Sequence, residues 1–130
     1  MAHIVAHSMG NRGLARAASR VLADAGGRFG NIILAAPDIQ PKLFRELAES
    51  YPAIAAHTTV YASPRDLALR ASKWYQDAPR AGLTPPITTV PGIGTVQVTQ
   101  FNLLDLGHGY WASAREVMTD MYQLLIYGHL

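Results

Sequence analysis

The chain of 130 residues predicts a single α/β domain over 1–130, a parallel sheet of about four strands with flanking helices. Three observations carry that prediction. Strand-length apolar runs alternate with stretches of helical periodicity along the whole chain. One of those runs, Asn31–Ala36, is unbroken apolar from Ile32 onward, as expected of a parallel strand covered on both faces. Glycine and proline fall at the junctions, at Gly26-Gly27, Pro37, Pro41, Pro52 and Pro64.

In chain order, residues 3–7 (His-Ile-Val-Ala-His) read as a short buried strand. Met9 to Ala25 reads as a helix ended by Gly26-Gly27, which supply the positive φ of a C-cap. The strand Asn31–Ala36 stops at Pro37. Pro41 to Ser50 shows helical spacing in Leu43, Phe44 and Leu47, with the proline suited to the first turn and Pro52 as terminator. His57 to Ala62 is a third strand, because Thr58, Thr59, Val60 and Tyr61 all favour the extended state. Residues 63–66 are its exit loop, and Leu67 to Tyr75 a helix. Asp77 to Pro91, rich in proline and glycine, is a loop or partial lid. Thr95 to Phe101 alternates as a fourth strand, Leu104 to Gly109 is its exit, and Ala112 to Tyr127 is the last helix, with Val117, Met121, Leu124 and Leu125 on one face.

Composition narrows the function classes. With 49% hydrophobic and 15% charged residues the chain can bury a real core. The formal net charge is +2 with the basic residues scattered, which points away from nucleic acid. Arg12, Arg16 and Arg20 form one regular series, read as a solvated helix face. The absence of cysteine excludes disulfides, thiolate catalysis and cysteine metal sites. No His/Asp/Glu cluster has ligand spacing, so neither metal nor cofactor is expected. No apolar run reaches the roughly 18 residues of a membrane span, and no signal-like segment opens the chain. The expectation is a soluble protein, cytoplasmic by default.

The chemistry centres on Ala6-His7-Ser8-Met9-Gly10. A serine between small residues, at a strand-to-helix junction, has the layout of the G-x-S-x-G nucleophile elbow, with Ala6 in place of the first glycine. The amino end of the following helix favours developing negative charge, and Met9, the residue after the serine, would offer its N–H to an oxyanion. The rival reading of Ser8 is an ordinary N-cap. A serine nucleophile needs a base, and the base needs an acid. Ser8, Asp66 and His108 occur in the order nucleophile, acid, base, each after a predicted strand, where ligands bind in such sheets. His108 lies between Gly107 and Gly109, which let a loop bring the ring close to another backbone. Asp66 could instead cap the helix beginning at Leu67, and Asp38, after the second strand, is the alternative acid. His7 is read as packing, while His57 and His129 lie away from the strand ends that form the site. A dinucleotide-binding fold is disfavoured because residues 8–13 do not match G-x-G-x-x-G.

Four segments in order, Ala6-His7-Ser8-Met9-Gly10-Asn11-Arg12, Leu34-Ala35-Ala36-Pro37-Asp38, Tyr61-Ala62-Ser63 with Asp66, and Leu106-Gly107-His108, resemble a bacterial α/β-hydrolase family of unknown function, close in fold to lipases and esterases. The resemblance spans nearly the whole chain. It implies Ser8 as nucleophile, Asp66 as acid and His108 as base, acting on a small ester or acyl substrate, and implies no particular substrate. The departure is at the amino end: the nucleophile strand begins within three residues of Met1, so the chain resembles the carboxyl-terminal half of the fold, without its N-terminal strands. The loop that would give the second oxyanion donor is then missing, and the strand His3–His7 has an open edge to be covered by a second copy or another chain. Two functions follow as expectations: a serine hydrolase working through an acyl-enzyme at Ser8, or a truncated, weakly active or inactive hydrolase module serving as an interaction domain through that edge.

Overall fold

The computed structural model describes residues 1–22, 24, 26, 28–64, 81–84, 87–98 and 115–128. Its frame is a parallel sheet with helices on both faces, as the alternation of apolar runs predicts. In chain order the elements are β1 (Ile4–His7), α1 (Gly10–Ala17), β2 (Phe29–Ala35), α2 (Pro41–Ala48), α3 (Tyr51–Ile54), β3 (Ala55–Pro64), β4 (Leu83–Thr84), β5 (Gly94–Gln97) and α4 (Arg115–Tyr127). Four strands run side by side in the order β1-β2-β3-β5, all parallel, while the two-residue β4 pairs Ser63 and Pro64 beyond the last β2 pairing. Among the described residues, β1 stands at the edge of the sheet.

β2 shows why an unbroken apolar run belongs in the middle of such a sheet. Its side chains alternate between two cores. Ile32 and Leu34 join Ala6, Ala15, Ala18, Phe44, Tyr51, Ile54 and Val60 on the face covered by α1 and α2. Ile33 and Ala35 join Tyr61, Val117, Met121 and Leu124 under α4. All four β2 side chains are essentially inaccessible, and removing each Ile or Leu from water contributes about 1.5–3 kcal/mol. Asn31 ties the layers together, its Nδ2 donating to the Leu124 carbonyl of α4 at 3.0 Å.

Several boundaries differ from those predicted, each for a local reason. The helix after β1 keeps regular winding only to Ala17 and then widens into a π-helical turn over Ala18–Leu22. The Ala18 N–H, at the junction, is shared between the carbonyls of Leu14 and Ala15. Gly26 has the predicted positive φ, 70°. Pro52 does not simply terminate α2; it lies in the first turn of α3, where its missing N–H costs no helical bond. β3 extends through Ser63 and Pro64, which were expected in an exit loop, because β4 from the predicted loop pairs with them. β5 spans Gly94–Gln97, and residues 99–101 of the strand expected from Thr95 to Phe101 lie outside the described residues. In α4 the face Val117, Met121 and Leu124 is buried as the periodicity predicts, with Leu125 half-buried. The helix expected at Leu67–Tyr75 lies outside the described residues. Among the described residues no helix is long and apolar enough to cross a membrane.

Candidate active site

Ser8 follows the last residue of β1 and adopts φ 51°, the left-handed region that non-glycine residues rarely enter. Holding an L-residue there costs about 1–2 kcal/mol and persists only where the surroundings over-determine it. They do so here through one carbonyl. The Ser8 C=O accepts from the Asn11 N–H at 3.2 Å, from Asn11 Nδ2 at 3.0 Å and from the Asp38 N–H at 3.2 Å. On the other side, the Ser8 N–H continues the β1–β2 ladder onto the Ala35 carbonyl at 2.9 Å. Strand, turn and helix are thereby locked around a single residue.

Asn11 is the central clamp. It is fully buried, and its Nδ2 also reaches the Ala35 carbonyl at 3.3 Å, so one side chain joins the turn after β1 to the end of β2. Its Oδ1 has no hydrogen-bond partner among the described residues. Asparagine in the first turn of a helix is neutral to unfavourable unless its amide serves the backbone, which is the one signal in the sequence that could have singled it out.

The groups left uncommitted are those an acyl-transfer site uses. The rival N-cap reading of Ser8 does not hold: the N-cap of α1 is Met9, and no side chain caps the helix. Among the described residues the Ser8 hydroxyl has no partner, and the Met9 N–H has no acceptor. Both stand at the amino end of α1, where the helix dipole favours an anion. Of the two positions expected to require small side chains, only Ala6 is tightly buried; among the described residues a Cβ at Gly10 would meet nothing.

Asp38 comes to this end of the sheet because Ala36, the residue after β2, also has positive φ, 44°. Its N–H bonds the Tyr61 carbonyl at 2.8 Å, and the turned chain brings the Asp38 backbone to Ser8. The Asp38 side chain, only 12% exposed, pairs with Arg12, whose Nη2 lies 3.4 Å from Oδ2 and whose Nε donates to the Asp38 carbonyl at 2.6 Å. Gly82 closes over this turn, its N–H on the Pro37 carbonyl at 2.9 Å, and a Cβ there would fall on the backbone of Ala36 and Pro37. Arg12 was read only as part of a solvated series; the structure makes it the partner of Asp38.

The structure thus brings together Ser8, Met9 and Asp38. Asp66 and His108 lie outside the described residues. His7 is half-buried, and His57 is exposed within β3. Among the described residues no group of three or more His, Cys, Asp or Glu could hold a metal ion. On the opposite core, the Tyr61 hydroxyl donates to Asp120 Oδ2 at 3.0 Å; burial first, then this carboxylate, push the phenol well above its usual range.

The model of a family described as alpha/beta hydrolase of unknown function (DUF900) covers residues 1–127. No curated protein and no solved structure matches the chain.

Proposed function

Because the chain belongs to that family of alpha/beta hydrolases of unknown function, we propose that it is a serine hydrolase that cleaves an ester or related acyl bond through an acyl-enzyme at Ser8. The observation that carries the reading is Ser8 itself: a strained, left-handed serine between a parallel strand and a helix, its carbonyl fixed by three donors and its hydroxyl unspent. Fixing the backbone while leaving the hydroxyl free is how a strained turn presents a nucleophile.

In the proposed reaction the Ser8 hydroxyl attacks the substrate carbonyl as His108 takes its proton, with Asp66 holding the imidazole tautomer. The oxyanion receives the Met9 N–H. Collapse expels the alcohol, which takes the proton from His108. Water then attacks the acyl-enzyme, giving a proton to His108, and the acid departs as Ser8 regains its hydrogen. Asp38 is the alternative acid, favoured by its backbone bond to Ser8; its pairing with Arg12 commits part of the carboxylate elsewhere. The test is labelling with a fluorophosphonate and turnover of a short-chain p-nitrophenyl ester. Label on Ser8, with turnover lost in Ser8→Ala and His108→Ala, supports the reading; no label on folded protein overturns it.

A second reading rests on the sheet edge. β1 lies at the end of the strand order among the described residues, and Val5 on it is 54% exposed. An uncovered edge strand is a template for pairing with another chain. A module of this kind would show no turnover and would elute as a stable dimer or bind a partner chain through residues 3–7.

A further inference from the structure

We propose that the groove between α1 and α2 binds an aliphatic carboxylate, an acid head on a short alkyl chain, at a site separate from the Ser8 hydroxyl. The groove encloses about 310 Å³ and is lined by Arg12, Arg16, Ile39, Gln40, Leu43 and Leu47. That volume lies at the lower end of the range of small-molecule pockets, roughly 300–1,000 Å³. It suits a small ligand better than a partner helix.

The lining divides by chemistry. Ile39, before α2, is buried, Leu47 half-buried and Leu43 40% exposed, so apart from Gln40 the wall formed by α2 and the residues leading into it is an aliphatic strip open to water. The α1 wall carries two guanidinium groups one helical turn apart. Arg12 is fixed in place by Asp38. Arg16, by contrast, has no acceptor for its side chain among the described residues, which leaves its guanidinium donors unspent at a residue that lines the groove. Arg20, the next in the series, falls in the wider π-helical turn and does not line the groove. A cation at one wall and an aliphatic strip at the other select a ligand that is both anionic and apolar. Neither property suffices alone.

The test is calorimetric titration with sodium octanoate, kept monomeric, against acetate and 1-octanol. Octanoate should bind at least about tenfold more tightly than either, since one control lacks the tail and the other the charge-assisted bonds. Arg16→Gln should weaken octanoate about tenfold, Arg16→Lys should restore much of it, and Leu43→Ser should weaken octanoate without affecting acetate. Ser8→Ala should bind octanoate unchanged, which keeps this site independent of the proposed reaction. The proposal fails if octanoate does not bind at millimolar concentration, if octanol binds equally well, or if folded Arg16→Gln binds as the unsubstituted protein does.

Discussion

Two strand ends in this molecule make the same unusual turn for different ends. After β1, Ser8 takes φ 51°; after β2, Ala36 takes φ 44°. Both donate their N–H to the neighbouring strand, to Ala35 and Tyr61 respectively, so each is a ladder residue that then swings left-handed. At Ala36 the turn is consumed by packing: the residue is 2% exposed, Pro37 follows it, and Gly82 seals it from outside. At Ser8 the backbone is fixed as firmly, yet the hydroxyl and the Met9 N–H are left without partners among the described residues. Strain serves shape in the first case and leaves a hydroxyl uncommitted in the second.

The comparison breaks most visibly at Ser8. Ser8→Ala should lower ester turnover by roughly 10⁴- to 10⁶-fold, as removal of a nucleophile does, while leaving the thermal melt nearly unchanged. Residual turnover within tenfold of the original would show that the free hydroxyl at the strained turn is not the nucleophile. At the other turn the sensitive point is the packing. Gly82→Ala should destabilise the fold by about 3 kcal/mol, measured by urea unfolding, because its Cβ lands on fixed backbone rather than on a flexible side chain. A loss below about 1 kcal/mol would mean the Ala36 turn can yield.

How much of this was legible in the sequence follows from how local each cause is. β2 was readable because Ile32 to Ala36 are buried on both faces, and burial on both faces removes polar residues from the run. The strand-to-helix turn at Ser8 was readable because it is built from contiguous residues. The same holds for the α4 face, set by periodicity within one helix. The Ala36 turn was not readable: its positive φ sits on an ordinary alanine, and the residue that closes over it, Gly82, lies 46 positions on. The Arg12–Asp38 pair and the Asn11 clamp likewise join segments whose proximity only the β1–β2 register creates. Widening of α1 at Ala18 has no marker in an alanine-rich stretch that would propagate a regular helix.

Asn11 tests whether the Ser8 turn is held from beneath. Asn11→Ala removes two donated bonds, one part-buried to Ser8 and one buried to Ala35, and should cost about 1–3 kcal/mol in urea unfolding. It should also slow fluorophosphonate labelling of the protein that remains folded, since the Ser8 carbonyl loses one of its three anchors. Equal loss of stability with unchanged labelling would confine Asn11 to packing.

The smallest effect separates the two turns most sharply. Glycine enters the left-handed region without the roughly 1–2 kcal/mol that a Cβ costs there, but its unfolded chain is more flexible by about 0.4–1 kcal/mol. At Ala36 a buried methyl is also lost, about 0.8 kcal/mol, so Ala36→Gly should leave stability within about 0.5 kcal/mol of the original. At Ser8 the side chain is half-buried and its hydroxyl has no partner among the described residues, so little is forfeited and Ser8→Gly should stabilise by about 0.5–1 kcal/mol while abolishing turnover. Paired urea unfolding of the two variants measures the difference directly. If Ser8→Gly gained nothing over Ala36→Gly, the serine would be held by contacts worth as much as its strain, and Ser8 would be a structural turn like its neighbour.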